Sequence, residues 1–474
     1  MSTLSIFDAA REQPLGTALV DGESSLSFAD VADRCRPLVA ALRSARPAVL
    51  ALAPRADVES LLWIYAALAV GTPLLTLHQR ATADERRRAR ELAGAVDVAS
   101  LSIPLSSSGS EPSPAPTEVE APALLIPTSG STGSPRLVEL SRRALLASAA
   151  ASERNLGWEA NDAWLLCLPL AHTGGLSIVT RCLVARRTLL LFESGGAGLM
   201  ARLPELVLAL QRASLVSLVP SVLAALLDAS PQAPPRLRAV LLGGAACSPA
   251  LAERAHAGRW PLLTSYGSTE TASQVVTRRY AERYAPLPVR GGVVSSGHPL
   301  PGVELALDEG QLRVRARSLF TRYIGSATPE LREGFLVTSD RGELGPDGEL
   351  YVRGRSDDVI ISGGENVDPL EVEAALLQLP GVTAACVTGT RSARFGEVVS
   401  ALLVSREPAL ADPARLAELL SDRLARHKLP RRALIAESLP LTLSGKVDRR
   451  ACRELLERAH APSGSETAEP AEPT

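Results

Sequence analysis

Five short apolar runs constrain this chain more than any other feature. They are ALLIPT (123–128), AWLLCLPL (163–170), RTLLLF (187–192), LVSLVP (215–220) and RAVLLGG (238–244), and amphipathic stretches such as PSVLAALLDAS (220–230) lie among them. Runs of this length, rich in leucine and β-branched residues, read as strands, while the amphipathic stretches read as helices with one face to bury. Their alternation predicts α/β layers in which helices cover sheets. At 474 residues the chain is too long for one ordinary core.

The pattern changes after Gly302. VELALDEGQLRVRA (303–316) and GELGPDGELYVRGR (342–355) read as short hairpins, the second with a Pro-Asp-Gly turn. From Val359 the order is helix (PLEVEAALLQL), strand (AACVTG), strand (VVSALLVS) and helix (ARLAELLSDRLARH), a compact α+β unit. The expected architecture is a large multi-layer N-terminal domain over 1–355, with sheets flanked by helices and a small β-barrel-like part. A small mobile C-terminal α+β lid over 356–460 and a disordered tail over 461–474 would follow. The Pro/Ser/Glu-rich stretch from about 105 to 123 reads as a surface loop that cannot bury enough to fold.

Lys+Arg of 50 against Asp+Glu of 52 leaves a formal net charge of -2, so no global field favours nucleic acid or an anionic membrane. Leu61–Leu77 is nearly long enough to span a bilayer, but Gly71-Thr72-Pro73 interrupts it, and a buried helix, turn and strand fit it better. Six scattered cysteines without a C-x-x-C predict reduced, mostly buried thiols. The N-terminus lacks a basic segment followed by an apolar run, which predicts a cytoplasmic protein with no stable membrane insertion. A homo-oligomer is compatible with the sequence.

Thr128-Ser129-Gly130-Ser131-Thr132-Gly133-Ser134-Pro135-Arg136 follows the apolar run ALLIP and precedes a helix-like stretch. Small hydroxyl residues and glycines let backbone N–H groups close around phosphate oxygens, and a terminal cation adds charge. It is not a Walker A loop, and a Ser/Thr/Gly run by itself does not distinguish a phosphate loop from an ordinary one.

Four further segments accompany it: Tyr266-Gly267-Ser268-Thr269-Glu270; Thr338-Ser339-Asp340; Gly354-Arg355-Ser356-Asp357-Asp358 with Ser362-Gly363-Gly364-Glu365-Asn366; and Leu443-Ser444-Gly445-Lys446-Val447-Asp448-Arg449. All five resemble, in order, the signatures of the adenylate-forming superfamily, which includes acyl- and aryl-CoA synthetases. The resemblance covers almost the whole chain. It implies an AMP-forming acid:CoA ligase using ATP, Mg²⁺ and coenzyme A.

By the same resemblance, the 128–133 loop and Arg136 hold phosphate, Tyr266 stacks on adenine beside Gly267, and Thr269 bonds the α-phosphate. Glu270 helps hold Mg²⁺, which prefers one or two carboxylates plus phosphate oxygens. Gly243, Gly244 and Ala245 would form the adenine wall, although a tight turn after a strand is also a sufficient reading of the glycines. Asp340 would accept bonds from both ribose hydroxyls, with Arg355 on ribose or phosphate. Asp357 would be the hinge about which the lid rotates, Gly364 would admit pantetheine, and Lys446 would bridge carboxylate and α-phosphate. Two positions depart from the family: Arg136 replaces a usual lysine, and Ser339 a common glycine.

Amino-acid-activating relatives carry an aspartate in the segment that here reads Leu168-Pro169-Leu170-Ala171-His172-Thr173-Gly174-Gly175, so an α-amino acid is not expected. This segment, Arg181 beyond it, and Thr271–Thr277 resemble those of 2-succinylbenzoate:CoA ligases of menaquinone biosynthesis. The implied acyl pocket comprises His172, Gly174, Gly175, Ser273, Gln274 and Thr277, where polar Ser273, Gln274 and Thr277, together with Arg181, would satisfy the keto group and second carboxylate of such a substrate without a charged pocket wall. Another aryl- or acyl-CoA synthetase is the alternative. A non-catalytic homologue would be expected to have lost Lys446 or Glu270, and both are present.

Overall fold

The computed structural model describes residues 3–103, 119–129, 135–193, 199–328, 331–362, 364–392, 395–442 and 446–460. The chain divides into two compact units, Met1–Thr338 with Gly342–Val352, and Ser339–Arg341 with Arg353–Thr474.

The first unit is built on two large sheets. In the nine-stranded one, strands Thr188–Leu191, Ala163–Leu166, Leu215–Leu218, Ala239–Leu242 and Leu262–Ser268 run parallel in that spatial order. The chain passes from 163–166 out to 188–191 and back across to 215–218, so the order reverses at Ala163–Leu166. Antiparallel strands Ser273–Thr277 and His298–Pro299 extend the far edge. These runs are continuously apolar because both faces are covered. Trp164 and Leu166 enter one core, and Leu165 between them enters another with Val216, Val240 and Trp260.

The six-stranded sheet holds the strands Pro122–Ser129 and Pro135–Ser141, which form an antiparallel hairpin, with Arg322–Ile324 added at its edge. The stretch after the Ser/Thr/Gly loop is therefore a strand, and its helix begins only at Arg142, capped by Ser141. Leu137, Val138 and Leu140 are fully buried, and Glu139 is neutralised by Arg322 at 3.1 Å, a partner too distant in sequence to be read locally. Leu61–Leu77 forms the helix ending at Val70, a left-handed Gly71 and the strand Leu74–Thr76, as expected. The two hairpins after Gly302 form one four-stranded sheet, Val303–Asp308, Gln311–Ala316, Leu336–Leu344 and Leu350–Arg355, where a barrel-like part was expected.

In the second unit, strands Val382–Ser392 and Gly396–Ser405 pair along their whole length and carry helices Pro369–Leu376, Pro413–Leu420 and Arg449–Ala459. Val372, Leu376, Val399, Leu403, Leu416 and Leu420 form its core. The helix expected over 414–427 stops at Leu420. The loop at 105–123 falls largely, and the tail from 461 wholly, outside the described residues. The six cysteines are free thiols, all buried except the half-buried Cys247. No helix among the described residues is long and apolar enough to cross a membrane.

Candidate active site

In a parallel sheet, ligands collect outside the carboxyl ends of the strands, near the point where strand order reverses. Several singled-out segments leave the sheet at that edge. The segment reaching His172 follows Ala163–Leu166, Gly243 to Ala245 follow Ala239–Leu242, and Thr269 and Glu270 follow Leu262–Ser268.

Glu270 is the centre of the best-defined cluster. It sits in a short 3-10 turn, Thr269–Thr271, whose start is fixed by Ser268 N–H donating to Thr271 Oγ1 at 2.8 Å. Its Oε1 accepts from the Tyr323 hydroxyl at 2.8 Å and lies 3.6 Å from Arg136 Nη2. The Arg136 guanidinium lies over the Tyr323 ring, 4.0 Å from its centroid. Burial, then the Glu270 charge, push the Tyr323 phenol well above its ordinary range, so it remains a donor. Both partners address Oε1, and Oε2 retains lone pairs for a hard cation, so the carboxylate suits Mg²⁺. Arg136 stands beside it at the foot of the hairpin, across the ladder from Thr128. Thr128 Oγ1 is buried and has no hydrogen-bond partner among the described residues. Gly130, Ser131, Thr132 and Gly133 lie outside those residues, as does the Ser129 side chain. Tyr323 had no motif around it to mark it in the sequence.

Tyr266 is half-buried on the strand that carries Gly267. A Cβ at Gly267 would fall 2.0 Å from the Ser273 carbonyl oxygen, because Ala272 and Ser273 turn back through left-handed backbone at φ 51° and 88°. Only glycine fits that approach. Gly243 is half-buried against the Ser265 hydroxyl, and Gly244 and Ala245 are exposed beyond it.

His172 caps the helix Thr173–Ala185, and its ring lies 5.4 Å from that of His78. Gly174 is half-buried and Gly175 buried in the first turn. Thr173, Ser177 and Thr180 on this helix line a narrow cavity, with Leu124, Leu145 and Ala272 opposite. The same helix carries Arg181, 2% exposed, whose Nη1 donates to Gln274 Oε1 at 3.4 Å and whose guanidinium lies 5.7 Å from the Trp164 ring centroid. Arg181 Nε and Nη2 and Gln274 Nε2 are buried with no partner among the described residues. Burial pulls the Arg181 pKa down to about 10. Ser273 is half-buried, and Thr277 is buried, donates to Val276 O at 2.7 Å and pairs with His298.

The remaining residues belong to the second unit. Asp340 lies within the strand Leu336–Leu344. Arg355 donates to both Asp357 carboxylate oxygens, at 3.1 and 2.8 Å, and to Ser339 Oγ at 2.9 Å. The serine that departs from the usual glycine thus orients Arg355. Burial pushes the Asp357 carboxyl up, but the Arg355 guanidinium outweighs it and holds the group below its usual range. Gly364 has φ 88° with open space where a Cβ would stand, and Gly363 lies outside the described residues. Lys446 is exposed, in a turn where Thr442 N–H donates to its carbonyl at 2.7 Å.

This edge of a reversing parallel sheet, the hairpin that carries Thr128 and Arg136 and the separate C-terminal unit together define a nucleotide-binding enzyme of the adenylate-forming type. The chain belongs to the AMP-binding enzyme family, which it matches over residues 91–323, with the AMP-binding enzyme C-terminal domain matched over 371–446. It is 32% identical over 466 residues to 2-succinylbenzoate–CoA ligase of Listeria monocytogenes serotype 4b (strain F2365), covering 94% of this chain and 97% of the relative. The Bacillus subtilis (strain 168) 2-succinylbenzoate–CoA ligase is also 32% identical, over 70% of this chain and 68% of its own. Among solved structures, the o-succinylbenzoate CoA synthetase (MenE) of Bacillus subtilis in complex with the acyl-adenylate intermediate OSB-AMP matches with a TM-score of 0.83 and 26% identity. That match covers 96% of this chain and 98% of the other. The same enzyme in complex with ATP and magnesium ion matches with a TM-score of 0.82 and 27% identity, covering 95% and 98%.

Proposed function

We propose that this chain is an ATP-dependent 2-succinylbenzoate:CoA ligase of menaquinone biosynthesis, which forms an acyl-adenylate and then transfers the acyl group to the thiol of coenzyme A. Attack of a carboxylate on the α-phosphorus brings two anions together, so the protein must neutralise charge and align the nucleophile with departing pyrophosphate. Arg136, Thr128 and Thr269 are assigned to the phosphates, and Tyr266 with Gly243 to Ala245 to the adenine. Mg²⁺, held through Glu270 and the nucleotide phosphates, would supply further neutralisation of the phosphate charge. We assign Arg136, 3.6 Å from Glu270 Oε1, to address both that carboxylate and the nucleotide phosphates. Tyr323 keeps Glu270 oriented through Oε1. Asp340 and Arg355 are assigned to the ribose, Asp357 to the hinge, Gly364 to the pantetheine path, and Lys446 to the charge developing between carboxylate and α-phosphate.

The observation that carries the substrate is Arg181. A guanidinium taken out of water with two nitrogens unbonded is costly unless a partner arrives, and a carboxylate is the partner that satisfies it best. A substrate with one carboxylate for adenylation and a second for Arg181 fits; a fatty acid leaves the cation uncompensated. Buried Gln274, and His172 at the head of the same helix, complete the polar side of the acyl pocket. The free thiols and the cosubstrates ATP and CoA favour the cytoplasm.

The test is acyl-CoA formation, followed by mass spectrometry, across 2-succinylbenzoate, benzoates, cinnamates and medium-chain fatty acids. The highest kcat/KM is expected for 2-succinylbenzoate. Equal or better turnover of a monocarboxylic acid would overturn the substrate while leaving the ligase reading intact.

A further inference from the structure

His298 is an odd residue to bury. It is 8% exposed, and neither ring nitrogen has a hydrogen-bond partner among the described residues. An imidazole in that position loses its water without replacement, a penalty proteins usually avoid. Two carboxylates face it. One ligand atom each from Glu282, His298 and Glu349 lie within 4.8 Å of one another.

The three come from separate segments, each fixed by backbone bonds. His298 lies on the short strand His298–Pro299, paired with Thr277. Glu349 immediately precedes Leu350, whose N–H donates to Gly297 O at 2.8 Å. Glu282 ends the 3-10 turn Tyr280–Glu282. Neighbouring groups leave donors available. Tyr351 donates to Glu349 Oε2 at 2.9 Å, and Arg279 to Glu282 Oε1 at 3.3 Å, each leaving the other oxygen. Buried Arg278 donates from Nε and Nη2 to the carbonyls of Glu282, Ala285 and Pro286 and lies 4.0 Å from Glu282 Oε2, while its Nη1 has no hydrogen-bond partner among the described residues.

We propose that Glu282, His298 and Glu349 form a binding site for a divalent transition-metal ion, Zn²⁺ being well suited, which pins the far edge of the nine-stranded sheet to the segment entering Leu350–Arg355. One imidazole nitrogen and two carboxylate oxygens form a donor set that Zn²⁺ accepts, at about 2.0–2.2 Å per bond. Tetrahedral donors at that distance stand about 3.3 Å apart, so the ligand atoms close by up to about 1.5 Å, within reach of two half-buried glutamates. The imidazole then gains the partner it otherwise lacks. This site is separate from Glu270 and takes no part in adenylation.

The test uses the full-length enzyme freed of metal with EDTA and titrated with Zn²⁺ by calorimetry, and with Co²⁺ by visible absorption. The wild type is expected to bind one ion with a rise in Tm and a Co²⁺ ligand-field band. His298→Gln and Glu349→Gln should each weaken binding at least about tenfold and abolish that band. Glu349→Gln is nearly isosteric at a half-buried position, so it reports on binding even if the histidine variant unfolds. Zn²⁺ affinity unchanged in Glu349→Gln, or no binding by the wild type, overturns the site.

Discussion

Arg181→Gln separates the cost of a buried charge from its use. Arg181 is buried, and desolvation pulls its pKa well below the ordinary arginine range, to about 10. Holding the guanidinium charged at neutral pH therefore costs roughly 3 kcal/mol, since each pH unit corresponds to about 1.4 kcal/mol. The Trp164 ring, with its centroid 5.7 Å away, returns only part of this. Because the folded pKa is depressed, the cost is fully present below pH 10 and is relieved only as pH rises towards the ordinary arginine range. Glutamine keeps hydrogen-bonding capacity and removes the charge, so Tm measured without substrate should hold or rise. With 2-succinylbenzoate the sign reverses. Loss of one partner of a buried charge pair costs about 2–5 kcal/mol, so kcat/KM should fall by at least about thirtyfold. For benzoate, which has no second carboxylate, the change should stay within about threefold. The measurements are a thermal melt and steady-state pyrophosphate release with both acids. A fall in Tm with equal kinetic loss for both acids would refute the assignment and make Arg181 a structural residue.

Glu270→Gln keeps the hydrogen bond from Tyr323 but removes the negative charge, so adenylation should slow strongly and need more Mg²⁺; an unchanged Mg²⁺ titration removes Glu270 from the metal. Lys446→Ala should slow acyl-adenylate formation about 10²–10³-fold, the usual cost of one such electrostatic donor. Thioester formation from supplied acyl-adenylate and CoA should remain within about tenfold of wild type, a difference of roughly 1.4 kcal/mol. Gly364→Leu should show the reverse pattern in the same single-turnover assays, since its φ of 88° disfavours any side chain and a leucine would obstruct pantetheine. Equal damage to both half-reactions in both variants would falsify the division of labour.

The five apolar runs all became strands because their periodicity reports burial on both faces, a property local to each run. Glu270, after its strand, was equally legible. What escaped depended on distant partners. The strand Pro135–Ser141 contains a charged Glu139 that is stable there only because Arg322 reaches it, so a helix seemed as good a reading. Tyr323, which orients Glu270, lies 53 positions away with no pattern around it. His298 sits in an unremarkable Gly-His-Pro, and its deprivation of hydrogen bonds is visible only once Glu282 and Glu349 surround it. Arg181 entered the sequence reading only through the resemblance, and its unpaired nitrogens needed the packed structure.

The proposed ligase activates its acid as a mixed anhydride with AMP. Incubating the wild type with 2-succinylbenzoate and MgATP without CoA, then quenching for mass spectrometry, tests this step directly. Enzyme-bound 2-succinylbenzoyl-adenylate is expected in near-stoichiometric amount with an equal burst of pyrophosphate, converted on adding CoA to the CoA thioester and AMP. Formation of ADP and phosphate, or of thioester without any adenylate that CoA can consume, would contradict it.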